Sequence, residues 1–181
     1  MRLQLTPNLE TPSDAIAAID VEIDRPDPAT LTLRYIVTGA IDRLMLPSRA
    51  PPERTDGLWR HTCFEAFLRP EASDAYAELN FAPSAQWAAY AFTGYRDGMT
   101  PAQVHPPRID AAQTAAKLEL AVQLNLAGLN LPDGSCWLAL SAVIEETTSA
   151  KSYWALAHPP GRPDFHHRSS FACRLPAWEA P

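Results

Sequence analysis

The chain has 181 residues, 46% hydrophobic and 20% charged, a balance that fits one folded domain over residues 1–181 and excludes a disordered polymer. Its net charge of −6 argues against nucleic acid and anionic membrane as partners, since both demand a basic face. No apolar run approaches the roughly 20 residues of a membrane span, and "MRLQLTPNLETPSD" carries no apolar signal region, so a cytoplasmic protein is expected. Cys63, Cys136 and Cys173 are an odd number without CxxC spacing and lie in strand-like runs, which suits buried reduced thiols.

In chain order, "SDAIAAI" suits one short helix, with Ser13 as N-cap, but the run is too brief to decide it. From there period two dominates. "AIDVEI" and "LTLRYIV" come first, the second alternating Leu31, Leu33, Tyr35 and Val37 against Thr32, Arg34 and Ile36. "HTCFEAFL", "AYAELNF" and "QWAAYAF" come next, then a long connection from Gly94 to Gln113. "KLELAVQLNL" places Leu118, Leu120, Val122, Leu124 and Leu126 on one face, and "CWLALSAVIEE" does the same with Leu138, Leu140, Ala142 and Ile144. Pro132–Gly134 reads as a hairpin turn between these two runs. "SYWALAH" and "SSFACRL" close the chain on either side of a second long connection, Pro159–Ser170. The 18 prolines fall mostly between the runs, as in a chain punctuated into strands. The expectation is an all-β antiparallel sandwich or barrel of roughly nine or ten strands with at most one short helix.

The faces carry the functional signal. If Leu79 and Phe81 point inward, Tyr76, Glu78 and Asn80 point away. In the preceding run Phe64, Ala66 and Leu68 make the core row and His61, Cys63, Glu65 and Phe67 lie opposite. In the next run Tyr90 and Phe92 are expected inside, with Trp87, Ala89 and Ala91 opposite. Glu119, Ala121, Gln123, Trp137, Ala139 and Ser141 extend the non-core pattern of acids, amides, rings and small residues. Such a groove suits a sugar, whose C–H rows stack on rings while hydroxyls bond carboxylates and amides. The plain alternative is a solvated outer sheet face.

"GLWRHTCFEAFL", "YAELNFAPSAQWAAYAF" with "GYRDG", and "YWALAHPPGRPDFHHRSSFACRL" together resemble the bacterial DOMON-like domains, over about Leu31 to Leu175. These are similar to family-nine carbohydrate-binding modules and to the heme domains of sugar-oxidising dehydrogenases. The resemblance implies a jelly-roll-like sandwich that binds a sugar or heme without catalysis. In the sugar-binding relatives an aromatic is followed six residues on by an acid that bonds hydroxyls; Trp59 and Glu65 match that spacing, with Asp56 just before them. Glu78 stands where the relatives favour a basic side chain, and Trp154 is the candidate for the second stacking ring. The expected ligand set is thus Trp59, Glu65, Glu78, Asn80, Trp87 and Trp154, for a small polar ligand, with no cofactor. The relatives also hold structural calcium, for which no full oxygen set maps onto this chain.

The heme alternative needs two axial ligands, and Met45 and His158 are the pair to try. A glycosidase-like enzyme would use Glu65 and Glu78 as its carboxylate pair. His61, Cys63 and Glu65 share a strand face, but side chains about 7 Å apart with no fourth ligand nearby argue against a metal site. "DFHH" points its two histidines in opposite directions. No P-loop, GxGxxG, GxSxG or HExxH motif occurs.

Overall fold

A computed structural model describes residues 1–129, 131 and 135–179. The Pro132–Gly134 turn lies outside the described residues. Among them are twelve strands: β1 (Arg2–Pro7), β2 (Ile16–Asp27), β3 (Thr30–Gly39), β4 (Cys63–Pro70), β5 (Tyr76–Phe81), β6 (Trp87–Phe92), β7 (Thr100–Pro101), β8 (Arg108–Gln113), β9 (Lys117–Asn125), β10 (Cys136–Glu145), β11 (Lys151–Ala155) and β12 (Cys173–Leu175). The chain is an antiparallel β-sandwich, one of the two all-β forms its alternation allowed and the one the family resemblance implied. The strands beyond the expected number are β1, β7 and β8, and the last two arise inside the Gly94–Gln113 connection.

The strand path runs β7-β6-β5-β4-β10-β11-β1-β2-β3-β9-β8, with β12 beside β10. β1 joins the two layers: Arg2 to Leu5 pair with β2, and Thr6 and Pro7 pair with β11. One layer is therefore β1-β2-β3-β9-β8 and the other β7-β6-β5-β4-β10-β11. The expected inward rows of β3, β9, β4, β5 and β10 all meet in one core between them. Tyr35, in that core, donates its hydroxyl to the Glu65 backbone carbonyl at 2.8 Å, so the buried polar tip has a partner and ties the layers together.

"SDAIAAI" enters a strand, not a helix. The Ser13 hydroxyl accepts from the Ala15 and Ile16 amides at 3.2 Å and donates to Glu146, turning the chain directly into β2. Pairing with β3 then takes the backbone groups a helix would have used. This entry runs tightly over the end of β3. Gly39 has φ +152°, and a Cβ there would lie 2.1 Å from the Ala15 carbonyl oxygen. Gly39→Ala should therefore cost about 1–3 kcal/mol. A urea midpoint equal to that of the parent would contradict this.

β6 has the opposite parity to the one expected. Phe81 pairs with Trp87, Leu79 with Ala89 and Ala77 with Ala91, so Trp87 and Ala89 enter the core while Ala88, Tyr90 and Phe92 face outward. The short turn sets this register: Ala82 donates to Gln86 at 3.0 Å, and Ala85 sits at φ 81°. The outward aromatics are not solvated. The Pro159–Ser170 connection crosses this face, and Phe165 and Phe171 join Phe67, Tyr76, Tyr90 and Phe92 in a second apolar cluster. Tyr76 stacks on Phe92 with centroids 4.7 Å apart, and the His166 ring meets both edge-on. The outer face of the other layer stays polar: there Glu119 bonds Arg34 at 2.8 Å, alongside Gln123.

Candidate functional site

Two coverings leave a gap on the outer face of β4, β5, β6, β10 and β11. One is the Asp56–Arg60 segment, whose 3₁₀ turn Leu58–Arg60 rests on β4 and β5. The other is the Pro159–Ser170 strap. Between them lies a concavity of about 730 Å³ with Glu65 and Glu78 facing it and Trp59, Tyr90, Tyr153 and Phe165 among its walls.

Strand pairing sets the floor. Glu65 on β4 stands opposite Asn80 on β5 and opposite Ser141 on β10. Glu78 is two residues from Asn80 on the same face, so the two carboxylates are diagonal neighbours across adjacent strands. Both are buried, Glu65 to 3% exposure and Glu78 to 6%. Ser141 Oγ donates to Glu65 Oε2 at 2.9 Å, and Asn80 Nδ2 donates to Glu78 Oε1 at 2.7 Å. Asn80 Oδ1 in turn accepts from Cys63 Sγ at 3.6 Å, so the amide is a wholly buried support beneath Glu78.

This environment shifts protons. Burial first, then the Glu78 charge, raise the Glu65 carboxyl to about 8, against the Ser141 hydrogen bond and Arg96. Glu78 is raised too, mainly by burial. Burial, with Arg96 nearby, pushes His166 down to about 4, so its ring is neutral at physiological pH. The Tyr76 hydroxyl accepts from the Arg96 amide at 3.2 Å and lies 2.8 Å from His166 Nδ1. The other ring nitrogen, Nε2, lies 3.6 Å from Glu78 Oε2, so His166 bridges the Tyr76 hydroxyl and the Glu78 carboxyl.

The walls are braced by polar pairs. Arg96, at φ 52°, binds Asp164 Oδ1 at 2.8 Å, while Tyr95 donates to Asp164 Oδ2 at 2.5 Å. These bonds fasten the strap to the turn after β6. Tyr90 donates to Asp56 at 2.7 Å. Lys151 Nζ donates to the Arg60 carbonyl at 2.6 Å, and the Arg60 guanidinium lies 5.3 Å from the Trp59 ring.

No protein-family model and no curated protein matches the sequence. The fold does match solved structures. A Bacteroides uniformis ATCC 8492 protein, described as a candidate carbohydrate-binding protein, aligns with a TM-score of 0.64 at 13% identity, over 93% of this chain and 83% of that one. A family 9 carbohydrate-binding module from Caldicellulosiruptor kristjanssonii, in complex with glucose, aligns with a TM-score of 0.48 at 8% identity, over 87% and 76%. The chain has the fold of the Bacteroides protein.

Of the residues singled out from sequence, Trp59, Glu65 and Glu78 converge on the concavity and Asn80 supports Glu78 from beneath. Trp87 and Trp154 do not join them. Both lie in the core between the layers, on the far side of the sheet from the carboxylates. Trp154 pairs with inward Ala142 and donates to Ser152 at 3.0 Å. Its neighbour Tyr153 pairs with outward Val143 and lines the concavity, one residue from the expected ring. Arg96, His166, Tyr90 and Tyr153 were missed. For Arg96 and His166 the local signal was the two long connections, with "GYRDG" and "PDFHH", that carry them; Tyr90 and Tyr153 sit in strands with rings on both faces.

Met45 and His158 lie elsewhere. Met45 is exposed beside Glu145, and His158 Nε2 sits 2.9 Å from the Thr6 carbonyl in a separate cleft with Asn8 and Pro159. His61 turns to Glu145 at 2.7 Å. Among the described residues no three His, Cys, Asp or Glu side chains converge as a metal site.

Proposed function

We propose that this protein is a non-catalytic, DOMON-like sandwich that binds a carbohydrate or sugar derivative in the concavity over β4 and β5. One observation carries the reading: buried carboxylates with bonded neighbours form the floor of an aromatic-walled cavity of about 730 Å³. Trp59, half exposed at 49%, offers a ring for stacking, and Tyr153 offers a second. Glu65, Glu78 and the neutral His166 supply acceptors and donors of fixed direction for hydroxyls. The description of the Bacteroides protein that shares the fold points the same way. Met45 and His158 line no part of this concavity, so its geometry lends nothing to the heme alternative.

Titration with glucose, galactose and cellobiose should change tryptophan emission, and Trp59→Ala should remove the change while leaving the melting curve in place. Absence of heat and of fluorescence change with all three sugars would count against the reading. Glu65, raised to about 8 beside a second carboxylate, also fits an acid–base pair. Hydrolysis of aryl glycosides that vanishes in Glu65→Gln would replace binding with a glycosidase-like activity.

A further inference from the structure

Among the described residues the Glu65–Glu78 floor has two acids and no ion-paired cation; Arg96 acts on both from the wall but is paired with Asp164. Glu65 is only 3% exposed, lines the concavity, and has one hydrogen bond, from Ser141 to Oε2. Among the described residues neither carboxylate is ion-paired to a lysine or arginine, and the His166 beside Glu78 is neutral. The cations of the site are already engaged. Arg96 is held by Asp164, Lys151 by the Arg60 carbonyl, and Arg60 lies over Trp59. Asp56, the remaining acid of the walls, accepts from Tyr90.

The rings above this floor are Trp59, Tyr90, Phe92, Tyr153 and Phe165. Rings with negative faces grouped around unpaired carboxylates are the chemistry that recognises an ammonium group. A neutral polyol would supply donors to Glu65 and Glu78 but no charge, leaving two buried acids facing each other. We propose that the concavity takes an amine-bearing sugar, its ammonium seated over Glu65 and Glu78 beneath the aromatic rings. The sugar part of this assignment rests on the carbohydrate reading above; the cation part rests on the floor and walls alone.

Binding of the ammonium releases a proton. Near neutral pH burial and Glu78 keep a proton on Glu65. Entry of the ammonium removes the reason for that proton, which leaves to solvent as the carboxylate forms. Glu78, Arg96, Ser141 and the neutral His166 are the groups around this exchange, with Arg60, Lys151 and Asp56 further up the walls.

Calorimetric titration with glucosamine, glucose, N-acetylglucosamine and tetramethylammonium at pH 6.5 tests this. Glucosamine should bind about ten-fold tighter than glucose or its N-acetylated form. Its enthalpy should differ between phosphate and Tris buffers, which reports the released proton. Glu78→Gln, an isosteric change, should bring glucosamine down to the affinity of glucose. Equal affinity for glucosamine and glucose would overturn the ammonium site and leave the carbohydrate reading standing. Binding of tetramethylammonium with none of the sugars would uphold the cation site and overturn the sugar reading. No binding of any probe would overturn both.

Discussion

Trp154→Ala is expected to lower folding stability by about 3–5 kcal/mol, the usual cost of emptying a large aromatic site in a closed core. Trp154 is 4% exposed between the two layers, pairs with Ala142, and gives its indole N–H to Ser152. Truncation leaves a cavity and strips the Ser152 hydroxyl of its donor. Urea denaturation measures the loss. Trp154→Phe, which keeps a ring, should recover much of it. In the folded fraction the Trp59 response to sugar should persist, because Trp154 faces away from the concavity. Trp59→Ala should show the reverse pattern, with stability within about 0.5 kcal/mol of the parent and binding lost. If Trp154→Ala keeps full stability and abolishes binding, the ring belongs to the site and the placement of β11 is wrong.

A second large effect is a fall in stability between about pH 6.5 and 8. The unfolded Glu65 carboxyl titrates near 4.3, whereas the folded one is raised to about 8 by burial and by Glu78. Between those values the folded chain holds a proton that the unfolded chain has lost, so stability decreases as pH rises and levels off above 8. Glu78, also raised, acts in the same direction. His166, lowered to about 4, acts in the opposite one, but only below about 6.5, where its unfolded form is charged. The window from about 6.5 to 8 is therefore left to the carboxylates. At about 1.4 kcal/mol per unit the change is about 2 kcal/mol, or about 4–8 °C in Tm for a domain of this size. Glu65→Gln should flatten the profile, since a glutamine oxygen can still accept from Ser141. A parent whose Tm is level across this window would refute the buried, proton-holding carboxylate.

Alternation is a property of a few consecutive residues, and where one side of a run was plainly apolar it was legible. β9 and β10 show this: Leu118 to Leu126 and Leu138 to Ile144 point inward as their spacing requires. β8 was not legible, because Ile109 and Ala111 are too few apolar residues to mark a face. β6 and β11 carry rings on both sides, Trp87 against Tyr90 and Phe92, and Trp154 against Tyr153. For them periodicity separates two faces without saying which is inner.

The same limit applies to the candidate site. Spacing places Glu65 and Glu78 on one side of two neighbouring runs, and it isolates Trp59 from the core rows. Burial of those carboxylates depends on the strap that brings Phe165 and His166 over them, about 100 residues away in sequence. Composition and local pattern were enough to make this chain an all-β antiparallel sandwich or barrel, because side-chain alternation needs no information from afar. Which rings fill the core, which line the concavity, and how hard Glu65 holds its proton were settled by register and by long connections closing over the sheet. Those depend on pairings between distant segments, which no single run of residues contains.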